Sequence, residues 1–504
     1  MNLENIDKLK RQIREFIDSG RIEEGKILAQ DYLNVFPDDP DGYLMFGETL
    51  ALQQQYDEAI EVLEKGVIKD GKNADIHVGL GVLHKKVGNY IDSFIHLYQA
   101  IKNSDNLELK KFAEEQLGEV SSFLSEAERK NLVDALENIR KVLFIQDIPC
   151  IRTKKVARTL AAKGIQTDII YVSVHPSRVY NDNDMPYKNI YRLEEVNQTI
   201  NFVRESDYDI IYSSNEPDYF TVLFLAAKKP IIHDTHDMMS LRGKLTNEQL
   251  VHEYIANVMS TGNIYTHEFV KEIALKKFQI TSKPVLVIEN FIERSMIPKQ
   301  RKRKLSSIDG QIHCVFEGGL SHIPGHHRFL ENHFMKIAEA GVHVHIYGHV
   351  DQEYVNSLQK RSQYIHYEGM LSPKELLIEL TKYDIGLALF NVGDYNKTFL
   401  NSASPNKVFD YLAAGLPIAF ADLDSFKLFN NKYKVGKIVH FDKPLYDQLF
   451  EIMKITIDES FLKVNKLTFN DHVYDILVFL NVVKSRHNSC YGEFMNHRRS
   501  EKGP

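Results

Sequence analysis

The sequence predicts an α-helical repeat array followed by two doubly wound α/β domains that face each other across a cleft. Three observations predict this fold class. Segments near the start of the chain recur with a period of 34 residues. From Lys141 onward, short Val/Ile-rich runs alternate with helical stretches, which favours parallel sheets covered on both faces. A polar, basic stretch interrupts this alternation once and divides the α/β part in two.

The first part of the chain, residues 1–138, is predicted to be a helical repeat array. Equivalent positions carry a large residue, a small one and an apolar one, in the order Ile22/Gly25/Ala29, Tyr56/Ala59/Leu63 and Tyr90/Ser93/Leu97. The pattern resembles the tetratricopeptide repeat, in which stacked helix pairs bury the faces that one pair cannot bury alone. We read the helices around Leu107 to Asn138 as a polar cap, and the array as a surface for a protein partner or an oligomer contact. A generic helical bundle is the alternative.

The first α/β domain is predicted over residues 139–293. Its expected strands are the runs KVLFI, TDIIYV, YDIIYS, KPIIHDT, NIYT and PVLVIEN. Residues 294–310 then read as an interdomain linker because they are polar, basic and rich in turn formers. Its basic run, Arg301 to Lys304, is interpreted as a solvated segment, with a patch for anionic lipid or a phosphorylated acceptor as the weaker alternative.

The second α/β domain is predicted over residues 311–460. Its expected strands are IHCVF, VHVHIYG, YIHYEG, DIGLALF, LPIAF and KIVHF. Residues 461–504 are read as a helix, Phe461 to Lys484, that crosses back to brace the first α/β domain, and a polar tail. Ligands of open α/β sheets bind at the carboxyl ends of the strands, so the cleft between the two domains is the expected site.

Composition narrows the class of protein. The chain has 504 residues, a net charge of −7 and a pI near 6.3, which gives no overall attraction to nucleic acid or anionic membrane. The first residues lack the pattern of a secretory signal, and no apolar run is long enough to span a bilayer. Cys150, Cys314 and Cys490 form no disulfide framework. We therefore expect a cytoplasmic protein, with peripheral contact at the inner face of the membrane as an option.

The stretch SPNKVFDYLAAGLPIAF, Ser404 to Phe420, is the most informative segment. Ser404 suits an N-cap, Pro405 suits the first helical position, and Gly415 suits the helix end, which predicts a helix over 405–414. On that helix Lys407 and Asp410 share one face.

This spacing has two interpretations. A helix start attracts an anion, and a carboxylate one turn deeper can accept hydrogen bonds from paired hydroxyls, so Lys407 and Asp410 match a ribosyl diphosphate. The alternative is an exposed ion pair that contributes almost nothing. The position of the helix after a strand of the second domain favours the first interpretation.

The same stretch resembles the signature of retaining glycosyltransferases of the GT-B architecture, particularly the fourth sequence family. The matching positions are Pro405, Lys407, Asp410, Tyr411, Ala413, Gly415 and Pro417. FEGGL, IIHDTHD and VIEN resemble further segments of that family, and the resemblance covers roughly Lys141 to Lys484. It implies transfer of a sugar from a nucleotide-sugar to a glycan, lipid-linked or protein acceptor, with retention and without a metal or a separate cofactor.

The resemblance also implies roles for individual residues. Asp410 would bind the ribose, while Lys407 and the helix start at Ser404, Pro405 and Asn406 would hold the diphosphate. The remaining donor contacts would come from Gly318 and Gly319 at the phosphate and from Gly369 and Leu371 near the base. His236 would be the catalytic-side residue, across the cleft near the sugar or acceptor.

Two positions depart from the family pattern. Ser402 stands where many relatives carry a glutamate, and Gly319 stands where many carry an arginine. Arg328 is the nearest basic candidate for the diphosphate. These departures leave a second hypothesis, a non-catalytic repeat scaffold with a degenerate transferase-like domain, and a third, a nucleotide-sugar epimerase.

Other groups of residues give weaker predictions about function. His233 and His236 fall on opposite faces if Ile231 to Thr235 is a strand, which argues against a two-histidine metal site. His322, His326 and His327 are read as loop residues, with metal binding as a minor alternative. EGGLSHIPG is not a dinucleotide fingerprint, and no hydrolase nucleophile elbow occurs.

Overall fold

The structure, a computed structural model, describes residues 3–180 and 185–501, and the side chains of residues 5–179 and 185–489. The side chain of Cys490 and the end of the polar tail therefore lie outside the described residues. The chain begins with eight helices: Leu3–Asp18 (α1), Ile22–Val35 (α2), Pro40–Leu52 (α3), Tyr56–Lys69 (α4), Ala74–Lys86 (α5), Tyr90–Asn103 (α6), Leu107–Ser121 (α7) and Glu126–Asn138 (α8).

These helices confirm the predicted repeat array. α2, α4 and α6 begin at Ile22, Tyr56 and Tyr90, which occupy the same register in the sequence repeat. The small residues act as expected, because a Cβ on Gly47 would lie 2.6 Å from the side chain of Leu63. Only glycine permits helices to approach this closely.

The first α/β domain is built on a parallel sheet of seven strands, ordered β3-β2-β1-β4-β5-β6-β7. The strands are Lys141–Gln146 (β1), Gln166–Tyr171 (β2), Ile190–Arg192 (β3), Ile210–Ser214 (β4), Ile231–Thr235 (β5), Gly262–Tyr265 (β6) and Val285–Val287 (β7). The helices are Ile151–Ala161 (α9), Ser177–Tyr180 (α10), Val196–Glu205 (α11), Tyr219–Phe224 (α12), Met239–Arg242 (α13), Asn247–Met259 (α14) and Glu268–Lys277 (α15). Six of the strands were predicted, and the edge strand β3 was missed.

The second α/β domain has a parallel sheet of six strands, ordered β10-β9-β8-β11-β12-β13. The strands are His313–Glu317 (β8), His343–Tyr347 (β9), Ile365–Gly369 (β10), Ile385–Ala388 (β11), Ile418–Phe420 (β12) and Gly436–Ile438 (β13). The helices are Ser306–Asp309 (α16), Glu331–Glu339 (α17), Gln352–Arg361 (α18), Pro373–Leu380 (α19), Lys397–Ser402 (α20), Asn406–Ala413 (α21), Asp424–Tyr433 (α22) and Leu445–Met453 (α23). All six predicted strands are present, so two doubly wound sheets follow the repeats as the fold class requires.

The C-terminal segment braces the first α/β domain, as predicted. It is not one helix, because Phe461–Val464 (α24) is followed by a 3₁₀ turn, Phe469–His472, before Val473–Glu501 (α25) begins. Between the helices, Thr468 pairs with Ile292 in an isolated parallel bridge. On α25, the Lys484 ammonium lies 2.6 Å from Asp209 of the first sheet.

One interpretation of a connecting segment needs correction. α8 is not a polar cap, since Leu132, Ala135 and Leu136 are buried in a core shared with the first sheet. In the basic linker, Arg301, Lys302 and Arg303 are exposed, in agreement with the solvated interpretation, although the segment also makes specific contacts. Lys304 donates to the carbonyl of Tyr383, and Arg301 pairs with Glu459 at 3.2 Å. Both segments are fixed by neighbours that are distant in sequence.

No helix among residues 3–180 and 185–501 combines the length and the apolar character that a membrane crossing requires.

Candidate functional site

A cavity of about 490 Å³ lies between the two α/β domains. The first domain contributes Asp237 and Asn290 to its wall. The second domain contributes the segments 317–319 and 404–407, which follow β8 and begin α21. The volume is in the range of small-molecule sites, and the position is the strand-end cleft that the fold predicts.

Glycines end three adjacent strands at the floor of this cavity. Gly318 follows β8 with φ +125°, Gly348 follows β9 with φ +136°, and Gly369 closes β10 with φ +86°. A Cβ on Gly348 would lie 2.5 Å from the carbonyl oxygen of Gly318, so a side chain cannot be accommodated there. Gly318, Gly319 and Leu371 line the cavity, whereas Gly369 does not, so the donor contacts of these residues stay predictions.

The start of α21 faces the cavity, but its cap differs from the prediction. The N-cap residue is Pro405 and not Ser404. The Ser404 hydroxyl instead accepts a hydrogen bond from the backbone N–H of Asn290, at 3.1 Å, in the other domain. A tertiary hydrogen bond has replaced the local cap, so Ser404 fixes the helix start across the cleft. The cavity is lined by Ser404, Pro405 and Asn406.

Lys407 is a cation without an anionic partner. Its Nζ lies 3.9 Å from the ring centroid of Phe316, and it forms no hydrogen bond or ion pair with the residues whose side chains are described. Burial and the nearby charge of Arg328 lower the pKa of Lys407 to about 7, although Glu317 opposes the shift. A buried cation in this state gains from an anion, because an opposite charge offsets the cost of desolvation.

Arg328 is a second cation at this cavity. The sequence identified it only as the nearest basic candidate for the diphosphate. It lies in the loop before α17 and not within the helix, and it lines the cavity. A Cβ on Gly319 would lie 3.2 Å from its guanidinium, and the guanidinium has no hydrogen-bond or ion-pair partner among the described side chains. Burial and the charge of Arg242 lower the pKa of Arg328. Lys407 and Arg328 thus form an unfilled anion site.

Asp410 lies beside Glu317 and away from the cavity wall. Burial and the Asp410 charge raise the pKa of Glu317, which favours a protonated Glu317 that donates to Asp410. Burial also raises the pKa of Asp410, although Lys155 of the first domain and Glu317 oppose the shift. Glu317 lines the cavity and Asp410 does not. The ribose contact of Asp410 therefore stays a prediction, and Glu317 is a carboxyl that the sequence did not reveal.

His236 follows β5 and is fixed from two sides. Its Nε2 lies 3.2 Å from Asp234, and its Nδ1 lies 3.8 Å from Sγ of Cys150. Burial lowers the pKa of His236, but the charges of Cys150 and Asp234 outweigh it and raise the pKa to about 10. A protonated His236 can donate a hydrogen bond or stabilise negative charge. It does not line the cavity, but its neighbour Asp237 does.

His233 and His236 contact different groups, in agreement with the strand argument. The ring of His233 is buried and lies 2.8 Å from the Thr221 hydroxyl. Of the described residues, two other groups have metal-ligand spacing, Glu64/His84/His96 and Asp309/His313/His343. Neither group lines the cavity. In the first group, the Lys163 ammonium already lies 3.1 Å from Glu64 and 3.2 Å from His96.

A second and larger cavity, about 730 Å³, lies between the repeats and the first sheet. Several lysines in its wall already form ion pairs with carboxylates. Lys69 lies 2.8 Å from Asp38, Lys102 lies 3.0 Å from Glu137, and Lys141 lies 2.6 Å from Asp207. The contrast with Lys407 and Arg328 makes the interdomain cavity the stronger candidate for an anionic ligand.

No known family model matches the sequence, and no curated protein matches it. Solved structures with a similar chain path include a mutant O-GlcNAc transferase of Thermobaculum terrenum, with 11% identity, 96% of both chains covered and a TM-score of 0.39. Sucrose-phosphate synthase of Thermosynechococcus elongatus is 11% identical over 71% of this chain and 100% of its own, with a TM-score of 0.45. HepE of Anabaena in complex with UDP is 13% identical over the same shares, with a TM-score of 0.44. These similarities are similarities in the course of the backbone.

Proposed function

We propose that this protein transfers a sugar from a nucleotide-sugar donor to an acceptor. The observation that carries the proposal is the pair of cations Lys407 and Arg328 in the interdomain cavity, which have no hydrogen-bond or ion-pair partner among the described side chains. Both lie next to glycines that allow a ligand to approach the backbone closely. A nucleoside diphosphate supplies the negative charge that such a site lacks.

The donor would lie with its diphosphate between the floor of the cavity and the start of α21. Free N–H groups at this helix start and the Lys407 ammonium would stabilise the charge that develops on the leaving diphosphate. Arg328, which lines the cavity beside Gly319, would contact the same group. Leu371 would border the base, and the carboxyl of Glu317 would contact the ribose hydroxyls from the cavity wall. The predicted ribose contact of Asp410 would require its hydrogen bond with Glu317 to open.

The acceptor would enter from the first α/β domain. His236 lies on this side, held by Asp234, and the positive charge of its imidazolium would stabilise negative charge near the sugar or acceptor. Retention of anomeric configuration and catalysis without a metal follow from the family resemblance. The helical repeats would recruit a glycan-bearing, lipid-linked or protein acceptor, or a partner enzyme.

A transfer assay tests this proposal. The full chain is incubated with uridine, guanosine and adenosine diphosphate sugars and a cell extract, and acceptor masses and released nucleoside diphosphate are measured. We expect one nucleotide-sugar to give both signals. Lys407→Met should lower the transfer rate by about 10²–10³-fold, as for the loss of one hydrogen-bond donor that stabilises developing charge. Lys397→Met on α20 is the matched control, because that side chain is exposed and lies 3.9 Å from Asp424.

The other outcomes identify the alternatives. Nucleotide binding without turnover would support the scaffold hypothesis, which Ser402 favours because its hydroxyl donates to the carbonyl of Phe399 where relatives carry a carboxylate. An epimerised free sugar formed without an acceptor would indicate an epimerase. No turnover of any donor would refute the transferase.

A further inference from the structure

Cys150 and His236 form a close pair at the carboxyl ends of the strands of the first sheet. Cys150 precedes α9, is partly exposed, and has its Sγ 3.8 Å from Nδ1 of His236. This distance is within the range of a hydrogen bond to sulfur. The pair therefore brings a nucleophilic atom and a proton-carrying ring together. The proposed sugar transfer uses His236 but gives no role to the Cys150 sulfur.

The imidazole is oriented by a rigid support. Asp234 accepts from Nε2 of His236 and is itself completely buried. The guanidinium of Arg152 donates to both carboxylate oxygens of Asp234, at 2.9 and 3.1 Å. Asp234 therefore keeps its charge and turns Nδ1 of His236 toward the sulfur. Cys150, His236 and Asp234 are arranged as an activated nucleophile, a proton carrier and a carboxylate that orients the proton carrier.

The surroundings of the sulfur favour the thiolate. Cys150 is the N-cap of α9, an eleven-residue helix, and its sulfur accepts from the backbone N–H of Thr153 at 3.5 Å. The Thr153 hydroxyl lies 3.4 Å from the sulfur. Burial raises the pKa of Cys150, but the charge of His236 and the hydrogen bonds from His236 and Thr153 together outweigh it and lower the pKa to about 6. Thiolates at helix N-termini and beside a histidine cation are the reactive form of cysteine.

We propose that Cys150 is a nucleophilic thiolate paired with the His236 imidazolium, and that it is a modification site at which hydroperoxides oxidise this protein. The thiolate attacks one oxygen of hydrogen peroxide, so that an S–O bond forms and the O–O bond breaks. The leaving hydroxide takes the Nδ1 proton of His236 and becomes water. Sulfur loses two electrons to peroxide, and the products are a sulfenic acid and a neutral imidazole.

Cys314 is a built-in reference for this reactivity. It lies in β8 with no exposed surface, and burial raises the pKa of its thiol well above the usual value. A structural cysteine of this kind is inert in the folded protein. Reaction at Cys150 in preference to Cys314 is therefore expected.

The first test measures the alkylation rate of Cys150 by iodoacetamide against pH in the full chain, with peptide mapping by mass spectrometry. The pH of half-maximal rate reports the pKa of the Cys150 thiol, even where limited access to the sulfur lowers the rate itself. We expect it near pH 6, against about 8.5 for an ordinary thiol. His236→Gln should move it upward by at least about one pH unit, as for the loss of a neighbouring cation. Thr153→Val should move it less. A wild-type midpoint at or above pH 8 would overturn the proposal.

The second test exposes the folded chain to hydrogen peroxide and traps sulfenic acid with dimedone. We expect the adduct on Cys150 and not on Cys314, with Cys150→Ser as the blank. If alkylation has the low midpoint but no dimedone adduct forms on Cys150, the thiolate assignment stands and the assignment to hydroperoxides is wrong.

Discussion

At the scale of single residues, Lys407 decides the electrostatics of the cavity. Its ammonium is desolvated and lies against the faces of Phe316 and Phe390, at 3.9 and 5.4 Å from the ring centroids. These rings offer the cation only a weak partner compared with a phosphate oxygen. The binding of an anion beside Lys407 therefore favours the protonated form of its amine.

This leads to a prediction about proton uptake. Because the pKa of Lys407 is lowered to about 7, the free protein holds only part of a proton there at neutral pH. A bound diphosphate raises that pKa, so binding should take up protons, and the uptake should increase from pH 7 to pH 8. Calorimetric titration with UDP, GDP and ADP in buffers of different ionisation enthalpy measures the uptake.

Lys407→Arg is the control for this experiment. Arginine keeps its charge at every accessible pH, so binding should persist without buffer dependence. A wild-type binding enthalpy that is independent of the buffer, or proton release in place of uptake, would contradict the account of Lys407.

At the scale of elements, Tyr411 ties α21 to the floor of the cavity. Its hydroxyl accepts from the backbone N–H of Glu317 at 3.0 Å and donates to the carbonyl of Leu387. The ring packs against Gly386 in β11, where a Cβ would lie 2.3 Å from a ring carbon. One glycine thus allows the helix that carries Lys407 to lie directly on the sheet.

A glycine pair tests this packing. Gly386→Ala should lower the free energy of unfolding of the second α/β domain by about 1–3 kcal/mol, because the fully buried ring of Tyr411 must move. Gly118→Ala on α7 should instead raise stability by about 0.5–1 kcal/mol, since nothing lies within 4 Å of the added Cβ. Urea denaturation measures both. Equal effects of the two substitutions would show that α21 does not rest on Gly386.

Local patterns predicted the elements but not every role within them. The Val/Ile runs predicted twelve of the thirteen strands that the structure describes, whereas β3, Ile190–Arg192, holds a single isoleucine and gives no such run. The helix of the signature is present within one residue at each end, but Ser404 caps nothing because it bonds to Asn290. Arg328, Glu317 and Cys150 gain their importance from neighbours far away in sequence, and no spacing along the chain indicates such contacts.

At the scale of the whole molecule, a buried lysine joins the repeats to the first α/β domain. Lys163, with 2% of its side chain exposed, lies 2.8 Å from Asp92 and 3.1 Å from Glu64, both in the repeats. Burial raises the pKa of Asp92, but Lys163, with smaller contributions from His84 and Arg294, outweighs this effect and lowers the pKa to about 2. The backbones also meet closely, because a Cβ on Gly71 would lie 3.2 Å from Gly164.

Removal of this lysine should detach the repeats. Lys163→Met leaves two carboxylates without their cation and should cost about 3–5 kcal/mol, as for a broken buried ion pair. Lys130→Met, at an exposed pair with Asp134, is the control and should change stability by less than about 0.5 kcal/mol. Limited proteolysis between α8 and β1, combined with urea denaturation, measures the effect. An unchanged cleavage rate in Lys163→Met would contradict this anchoring role.

The binding of a nucleoside diphosphate to the interdomain cavity tests the central claim most directly. Calorimetric titration of the full chain with UDP, GDP and ADP should give at least one saturable ligand. Lys407→Met should weaken its affinity by at least about tenfold, as expected for the loss of a charged hydrogen bond, while Lys397→Met leaves the affinity unchanged. If none of the three nucleotides binds, or if Lys407→Met binds as tightly as the unchanged chain, the cavity is not a donor site.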